Sequence, residues 1–332
     1  MNAAALLAAL DAHPRLDLGG TDSPFEPFPL LEELSGRPAW IKRDDTLGPA
    51  PGGNKTRKLE YLLAEARRRG ARRVATFGAL TSNHTRLTAV LAREVGLEAH
   101  LFFFDHRPAE LTGSLALAAE AGAQLHFFPA FRSLRGKTRL ETASRMAHAL
   151  CLARLGRHYF IPVGGHGWRG ALGYVRAAVE LHRQARAAGL GPARVGLATG
   201  TGGTLAGLMA GLALLDSPLQ PLGIDVGGLW RRFRPSIARL AGEVCRRLGS
   251  ARPFPPESVP LVEERYVGPG YGSPLPLAAD PGARAAAAGL HLDPVYTAKA
   301  LAGLADLVRR GAVEGAGALI FLHTGGLPSP AA

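Results

Sequence analysis

The residue best suited to covalent chemistry in this sequence is Lys55, within the run GGNKTRKLE at residues 52–60. The chain has 39 lysines and arginines, but only five of them are lysines. A desolvated lysine can lose its proton and form a Schiff base with an aldehyde or ketone, which an arginine cannot do. A scarce lysine between a glycine turn and a helix-forming segment therefore indicates amine chemistry. The alternative is a solvated lysine near the start of a helix.

A second group of small and hydroxyl residues follows a predicted strand at residues 195–199. It consists of Thr199, Gly200, Thr201, Gly202, Gly203 and Thr204 and leads into an apolar helix. Glycines let the backbone approach a phosphate, and the helix N-terminus supplies N–H donors and a favourable dipole. The run is not a dinucleotide-binding fingerprint, which would need glycine at Leu205, nor a P-loop, in which a lysine follows. It predicts a cup for one phosphate group, with a tight strand-to-helix turn as the alternative.

Two further turns of small polar residues follow predicted strands. Residues 81–83 (TSN) precede a helix that begins near Arg86, and residues 323–326 (HTGG) follow the last strand. Residues 81–83 suit the capping of a helix, or the binding of a carboxylate by uncapped donors. Because open α/β sheets bind ligands at the carboxyl ends of their strands, all three turns are candidate ligand sites.

The elements that position these turns alternate between short apolar strands and helix-length segments, which is typical of an α/β protein with parallel sheets. Strands are predicted at residues 74–77, 100–104, 125–128, 159–163, 195–199, 222–226 and 319–322. Helices are predicted at residues 1–11, 111–121, 138–155, 171–188, 205–214, 236–248 and 297–310, and apolar spacing predicts two more around residues 59–66 and 87–95.

Composition excludes several classes of protein. The net charge is +12, but the arginines are dispersed in short groups, so we expect no nucleic-acid partner. Cys151 and Cys245 are too few for a disulfide framework and suit a cytoplasmic location, and the histidines lack the spacing of metal ligands. The uncharged stretch at residues 195–215 is broken by glycine and threonine, so we expect no membrane span.

Taken together, these segments resemble the family of D-cysteine desulfhydrase and 1-aminocyclopropane-1-carboxylate (ACC) deaminase, which are pyridoxal-phosphate enzymes of the tryptophan-synthase-β fold (fold type II). The matching segments are residues 41–45 (IKRDD), 52–60, 82–86 (SNHTR), 161–165 (IPVGG), 171–175 (ALGYV), 199–204, 268–272 (GPGYG), 292–297 (LDPVYT) and 323–326. They occur in the family's order from about residue 40 to residue 327.

The resemblance implies a fold and an assembly. The expected fold is α/β, with two open parallel-type sheets and flanking helices. A smaller domain at residues 56–161 would be inserted into a larger pyridoxal-phosphate-binding domain made of residues 1–55 and 162–332. The resemblance further implies a homodimer that acts on a small amino acid.

The resemblance also implies roles for individual residues. Lys55 would hold pyridoxal phosphate covalently, Asn83 would hydrogen-bond its ring hydroxyl, and Ser82 would bind the substrate carboxylate. The implied cofactor-binding set is Asn54, Lys55, Asn83, Thr199, Gly200, Thr201, Gly202, Gly203, Thr204 and Thr324. The implied catalytic set is Lys55, Ser82, Tyr271 and Tyr296, and the implied substrate-binding set is Ser82, Asn83, His84, Gly165, Trp168 and Thr297.

The implied reaction is a β-elimination that converts D-cysteine to pyruvate, ammonia and sulfide. Lys55, displaced by the substrate amine, would be the base for the Cα proton, and Tyr271 and Tyr296 would face the reacting carbon and the leaving group. ACC deaminases carry glutamate and leucine at the positions of Thr297 and Thr324. A carboxylate beside the pyridine nitrogen keeps it protonated, whereas a threonine can leave it neutral, so the two threonines favour a desulfhydrase.

Residues 166–169 (HGWR) depart from the family, which usually has a Ser-x-Pro-Leu-like segment there, and Thr81 stands where glutamine is usual. Trp168 and Arg169 would either lie near the cleft and bind a more acidic substrate such as cysteate, or lie on the surface. Three further functions fit the resemblance: ACC deamination, β-replacement, and non-catalytic binding of the cofactor or of an amino acid.

Overall fold

The computed structural model describes residues 1–20, 22–49, 52–129, 140–230, 232–313 and 317–327. The described helices and strands are, in chain order, α1 (Ala3–Asp11), β1 (Phe25–Pro27), α2 (Pro29–Ser35), β2 (Ala39–Arg43), α3 (Asn54–Arg68), β3 (Arg73–Phe77), α4 (Asn83–Glu94), β4 (Glu98–Phe103), α5 (Gly113–Glu120), β5 (Gln124–Phe127), α6 (Leu140–Leu155), β6 (Tyr159–Phe160), α7 (Trp168–Ala187), β7 (Ala193–Thr199), α8 (Gly203–Leu214), β8 (Leu219–Asp225), α9 (Phe233–Arg247), β9 (Leu261–Val262), α10 (Ala279–Ala287), α11 (Thr297–Arg309) and β10 (Ala318–His323).

The larger sheet has six strands in the order β1-β2-β10-β7-β8-β9. β1 pairs with β2 in antiparallel fashion, and the other neighbours are parallel. Leu319 and Phe321 of β10 pack into the core that α2 and α11 cover. Ile320 and Leu322 alternate with them and pack into the core of α7, α8 and α9. Helices therefore bury both faces of this sheet, as a parallel sheet requires.

The smaller sheet has four parallel strands in the order β5-β4-β3-β6. Helix α3 connects it to the larger sheet and is buried along most of its length. Leu59 and Leu63 of α3 pack into the core of the smaller sheet, whereas Tyr61 packs into a core of the larger one. Because α3 is held from both sides, the residues in its first turn have a fixed position relative to both sheets.

The predicted α/β class with two parallel-type sheets is confirmed, and the seven predicted strands lie close to their expected positions. Strands β1, β2 and β9 were not predicted; Lys42 and Arg43 make β2 look polar, although Lys42 is buried beside Glu180. Helix α2 begins with a proline and α10 contains one, which concealed both in the sequence. Helix α6 is described from residue 140, so residues 138 and 139 of that prediction lie outside the described residues. The predicted domain division stays a prediction.

Candidate active site

A cavity of about 1090 Å³ is lined by turns that follow strands of both sheets. Residues after β3 and β4 of the smaller sheet and after β7, β8 and β10 of the larger sheet contribute to it. Its volume is in the range of small-molecule sites. The predicted site residues on its wall are Asn54, Lys55, Ser82, Asn83, His84, Thr199, Gly200, Thr201, Gly202, Thr204, Tyr271, Tyr296 and Thr324.

Lys55 lies in the first turn of α3, where that helix meets the turn after β10. The backbone N–H of Asn54 donates to the carbonyl of Thr324 at 2.9 Å, and Gly53 forms a β-bridge with Gly325. Gly53 has a φ of 146°, and a Cβ atom there would lie 2.7 Å from the Thr324 oxygen. Only glycine allows this approach, so the glycine turn serves to place Lys55 in the cavity.

The environment of Lys55 favours its neutral amine. Nζ donates to Oδ1 of Asn54 at 2.8 Å, and Nδ2 of Asn54 donates to the hydroxyl of Thr204 at 3.1 Å. Burial lowers the pKa of Lys55 to about 8, with the negative charge of Asp293 acting in the opposite direction. A larger fraction of this amine is therefore unprotonated near neutral pH than in an exposed lysine, and the neutral form can act as a nucleophile or a base.

The predicted phosphate loop lies at the end of β7, and α8 begins within it at Gly203. No side chain caps the N-terminus of α8, and its first turn carries no acidic residue. Gly202 has a φ of 81°, and a Cβ atom there would lie 2.6 Å from Ile237. The loop therefore leaves the N–H groups of the helix N-terminus to an anion. Gly203 is buried and does not line the cavity.

Lys58 is a functional candidate that sequence analysis missed. It lies one helical turn after Lys55, is buried, and donates from Nζ to the carbonyl of Gly164 at 3.1 Å. A Cβ atom at Gly203 would lie 3.2 Å from this Nζ, so the amine sits against the start of α8. Burial, followed by the charge of Lys55, lowers the pKa of Lys58 well below its usual value. The signal in the sequence was a second scarce lysine on the same helix face.

His166 reaches the same place from the start of α7. Its Nδ1 is buried, has no hydrogen-bond partner among the described residues, and lies 3.8 Å from the Cβ position at Gly203. Burial, followed by the charge of Lys58, lowers the pKa of His166 to about 4, so its ring is neutral. His166 itself does not line the cavity, so the groups within reach of a phosphate are the start of α8 and the amine of Lys58.

His84 lies on the wall formed by the smaller sheet. Its Nε2 is 2.8 Å from the hydroxyl of Thr76, and that hydroxyl donates to the carbonyl of Ile161 at 2.7 Å. The single hydroxyl proton of Thr76 is thus used, so Nε2 of His84 must be the donor and Nδ1 an acceptor. Burial, then the charges of Lys55 and Lys58, lowers the pKa of His84 well below its usual value. His84 therefore presents a neutral acceptor.

The N-terminus of α4 supplies donors on the same wall. Ser82 is the residue before the helix, its side chain does not cap it, and the first turn carries no acidic residue. Asn83 is the first helical residue and also lines the cavity. The first N–H groups of α4 and the Ser82 hydroxyl can therefore receive a carboxylate.

The opposite wall carries a pair of tyrosines. The hydroxyls of Tyr271 and Tyr296 are 2.5 Å apart, and a Cβ atom at Gly200 would lie 3.2 Å from the ring of Tyr296. Burial, then the neighbouring Tyr271 and the charge of Asp293, raises the pKa of Tyr296 well above its usual value. The pair is therefore a source of hydroxyl protons beside the phosphate loop.

Thr297 does not line the described cavity. It is fully buried at the start of α11, and its hydroxyl donates to a carboxylate oxygen of Asp293 at 3.1 Å. Thr324, the second threonine that favours a desulfhydrase, does line the cavity. Gly165 packs against Lys58: a Cβ atom at Gly165 would lie 3.2 Å from Cδ of this lysine. Neither Thr297 nor Gly165 is therefore in a position to touch a ligand directly.

Trp168 lies away from the cavity, so the hypothesis that residues 166–169 bind an acidic substrate is wrong for its aromatic and arginine members. The Trp168 ring packs between the guanidinium groups of Arg169 and Arg247, at 4.1 and 4.6 Å. Arg169 pairs with Glu65 at 3.2 Å. Trp168 is the first residue of α7, and this helix start packs against α9 rather than toward the ligand.

Comparison with known proteins gives one consistent result. Residues 16–325 match the family described as pyridoxal-phosphate dependent enzymes. D-cysteine desulfhydrases of Salmonella schwarzengrund and Salmonella newport are each 35% identical over 326 residues, which is 96% of this chain and 96% of theirs. The crystal structure of an ACC deaminase homologue superposes with a TM-score of 0.83 at 35% identity, covering 97% of this chain and 94% of that one.

More distant solved structures share the fold. A fungal L-serine ammonia-lyase from Rhizomucor miehei has a TM-score of 0.65 at 18% identity, covering 94% of this chain and 95% of that one.

No helix in the described ranges is long and apolar enough to cross a membrane.

Proposed function

The chain belongs to the family of pyridoxal-phosphate-dependent enzymes, and we propose that it is a D-cysteine desulfhydrase. This lyase converts D-cysteine to pyruvate, ammonia and sulfide. The observation that carries the proposal is the placement of Lys55 in the same cavity as the hydrogen-bonded pair of Tyr271 and Tyr296. The cavity thus combines an amine that can act as a base with hydroxyl hydrogen-bond donors, which suits an elimination.

The residues of the cavity suit pyridoxal phosphate. The start of α8 and Lys58 would hold the phosphate, with His166 behind the loop at Gly203, and Asn83 would bind the ring hydroxyl. When bound, the cofactor withdraws electrons from the Cα atom of an attached amino acid, so that its proton and β-substituent can leave. Lys55 would attach the cofactor aldehyde, and Asn54 would hold the lysine Nζ toward the phosphate loop.

Substrate orientation falls to the start of α4. The Ser82 hydroxyl and the first N–H groups of this helix, whose first turn carries no acidic residue, would bind the carboxylate of the amino acid. The Nδ1 atom of His84 would accept a hydrogen bond from the ligand, and the neutral ring would add no charge to this wall. One helix end would bind the carboxylate and the other the phosphate, so the amino acid would be held between the two walls. This limits its rotation and fixes the direction of its Cα–H bond.

Proton transfer divides between the two walls. Lys55 Nζ, with its pKa lowered to about 8 by burial, would take the Cα proton. Tyr296, kept neutral by burial, would donate a hydrogen bond toward the departing sulfur, and Tyr271 would hold that hydroxyl in place. A phenol that stays protonated is suited to this task because it can donate but carries no negative charge against a thiolate.

The charges of the cavity favour a thiol over a sulfonate. None of the lining side chains in the described part of the chain is an arginine, and Arg169 is paired with Glu65. Asp105 and Glu264 also line the cavity. A sulfonate would therefore find no arginine in this described lining, whereas the small neutral thiol of D-cysteine needs no such counter-charge.

ACC deamination is the second candidate, because the ACC deaminase homologue is similar over nearly its whole length. The residue identities oppose it: the position of its glutamate holds Thr297, whose hydroxyl is engaged by Asp293. The experiment is to supply the purified protein with pyridoxal phosphate and one of D-cysteine, L-cysteine, ACC or cysteate. We expect pyruvate and sulfide from D-cysteine. 2-Oxobutanoate from ACC as the main product would replace the proposal by the second candidate, and no product at all would reject both.

The setting of the enzyme is also proposed. Cys151 and Cys245 are buried and unpaired, which suits a reducing cytoplasm. We propose a homodimer in which each chain has a smaller domain (residues 56–161) inserted into a larger one (residues 1–55 and 162–332). A molar mass of one chain in light scattering would contradict the dimer.

A further inference from the structure

Lys299 is a buried amine that the proposed reaction does not use. It lies in the first turn of α11, is fully buried, and donates from Nζ to the carbonyl of Val267 at 2.6 Å. Lys137 lies outside the described residues; Lys42, Lys58 and Lys299 are buried, and Lys55 lines the cavity. Because this chain uses arginine for nearly all its other basic positions, a buried lysine marks a place where a compact ammonium is needed.

The charge of Lys299 is balanced by two buried carboxylates. Asp293 and Asp225 both favour its protonated form, although burial lowers its pKa. Asp225 ends β8 and accepts the backbone N–H groups of Gly227 and Gly228 at 3.0 and 2.9 Å. Asp293 accepts the backbone N–H groups of Val295 and Tyr296 at 2.9 and 2.8 Å. The Val267 carbonyl accepts the hydrogen bond of this ammonium, and the two carboxylates stabilise its charge electrostatically.

The Val267 carbonyl and the carboxylates of Asp225 and Asp293 belong to three segments of one wall of the cavity. Gly227 and Gly228 follow Asp225, and the segment at residues 267–273 follows the Val267 carbonyl. Tyr296 follows Asp293 and immediately precedes α11. The ammonium therefore joins the segment of Tyr271 to the helix start that carries Tyr296.

The Lys299 bond lies at the base of the segment of Tyr271. Residues 268–273 contain three glycines, and Gly268 and Gly272 have positive φ angles. Glycines leave the backbone many alternative conformations, so contacts at the ends of such a segment help to fix its position; within it, the N–H of Ser273 donates to the carbonyl of Gly270 at 3.1 Å. Tyr266 is anchored by its hydroxyl to Asp306 at 2.9 Å, and the Lys299 bond to Val267 comes next along the chain. Tyr271 follows after four residues.

We infer that Lys299 is a positioning residue for the tyrosine pair, whose ammonium fixes the segment of Tyr271 against the start of α11 so that Tyr271 and Tyr296 stay hydrogen-bonded. The inference rests on the proposed function for its kinetic consequence only. Lys299 touches neither substrate nor cofactor; it acts through the 2.5 Å contact between the two hydroxyls.

The chain offers a matched control in Lys42. This lysine is also buried, donates to the carbonyl of Ser23 at 2.6 Å and pairs with the carboxylate of Glu180, but it is not among the residues that line the cavity. Replacing either lysine by methionine removes one ammonium, takes the lysine donor from one backbone carbonyl and removes a positive charge near buried carboxylates. A general loss of stability is therefore common to both variants, and a local loss of order at residues 268–273 is specific to Lys299→Met.

The first experiment is hydrogen–deuterium exchange of the holoenzyme by mass spectrometry. Lys299→Met is expected to accelerate exchange at residues 268–273 by about tenfold or more, as local opening becomes easier. Lys42→Met is expected to leave this segment at the wild-type rate. Equal exchange at residues 268–273 in wild type and Lys299→Met overturns the inference. Exchange needs no substrate, so this result stands even if the proposed function fails.

The second experiment is a double-mutant cycle on kcat, measured per mole of bound cofactor. Lys299→Met is expected to lower kcat by about 10- to 100-fold, because small displacements of a catalytic group have effects of that size, with KM nearly unchanged. In the Tyr271→Phe background the same change is expected to lower kcat by less than about twofold, since coupled residues are not additive. Additive losses overturn the inference.

If Lys299→Met does not fold, Asp225→Asn replaces it in the exchange experiment. The amide oxygen can still accept the N–H groups of Gly227 and Gly228, but the carboxylate charge that faces Lys299 is gone. Faster exchange at residues 268–273 in Asp225→Asn supports the inference, and wild-type exchange there overturns it.

Discussion

Lys55 and Thr204 are joined through one amide, that of Asn54. Its Oδ1 accepts from Lys55 Nζ at 2.8 Å, and its Nδ2 donates to the Thr204 hydroxyl at 3.1 Å. The amine that would hold the aldehyde of pyridoxal phosphate is thereby fixed relative to the loop that would hold its phosphate. The two ends of the cofactor site are parts of one hydrogen-bonded unit, although they lie far apart in the sequence.

Lys58 provides a prediction about cofactor affinity. Lys58→Met should weaken pyridoxal phosphate binding by about 10- to 100-fold, because a hydrogen bond to a charged group contributes about 1.5–3 kcal/mol. The measurement is a titration of the apoprotein followed by its visible absorbance. Pyridoxal, which lacks the phosphate, is the control and should bind wild type and Lys58→Met equally. Equal weakening for both compounds would show that Lys58 does not contact the phosphate.

The lowered pKa of Lys55 predicts how the apoprotein takes up its cofactor. The neutral amine is the nucleophile, so the rate of attachment should rise with pH through a midpoint near the pKa of about 8. Asp293 raises this pKa by its charge, so Asp293→Asn should move the midpoint to lower pH. Stopped-flow absorbance gives the rates. An unchanged or higher midpoint in Asp293→Asn would contradict the electrostatic link between the two residues.

The tyrosine pair predicts a loss that is confined to turnover. Tyr296→Phe should lower kcat for D-cysteine by about 100-fold or more, the usual contribution of a positioned acid, with a small change in KM. Tyr271→Phe should have a smaller effect, because it removes only the partner of the donating hydroxyl. Steady-state sulfide release provides both constants. A Tyr296→Phe variant with wild-type kcat would remove this residue from the proton transfer.

A buried ionic network beneath the site predicts a dependence of stability on pH. Arg57 donates to Asp44 at 2.8 and 2.9 Å and to Glu180 at 2.8 Å, and Tyr174 donates to Asp44 at 2.6 Å. Burial alone would raise the pKa of Asp44, but the charge and hydrogen bonds of Arg57 lower it to about 2. The stabilisation is therefore complete above the unfolded pKa of about 3.9 and is lost as the pH falls toward 2.

Removal of one partner tests this network. Arg57→Met should destabilise the protein by about 3–5 kcal/mol, because it leaves buried carboxylates without a counter-charge. Thermal unfolding at neutral and acidic pH measures the effect. The difference between wild type and Arg57→Met should shrink as the pH falls toward 2. A constant difference would mean that packing, rather than the charge on Asp44, accounts for the loss.

Site residues that lie close together in the chain could be predicted from the sequence better than residues whose position depends on the packing of distant elements. Lys55 and Thr199 to Thr204 were predicted because glycines, a scarce lysine and a helix start lie next to one another in the chain. Trp168 was misplaced because its position depends on the direction in which α7 leaves its first turn. That direction is set by packing against α9, and no local signal near Trp168 encodes it.

Residues that act through buried contacts could not be predicted in the same way. Lys58 and His166 meet at Gly203 only after α3, α7 and α8 have packed together. Lys299 has an ordinary place within an amphipathic helix, and its importance becomes visible only through the carbonyl of Val267. Strand β2 was missed for a similar reason, because the partner that allows Lys42 to be buried is Glu180 of α7.

We propose that Lys55 is the amine through which this chain eliminates sulfide from D-cysteine. The most direct measurement compares pyruvate and sulfide release from D-cysteine by wild type and Lys55→Ala, both supplied with pyridoxal phosphate. We expect equal molar amounts of the two products from wild type, and a rate lower by about 1000-fold or more in Lys55→Ala, since this variant lacks both the covalent anchor and the base. Failure of the wild type to release both products, or a wild-type rate in Lys55→Ala, would contradict the claim.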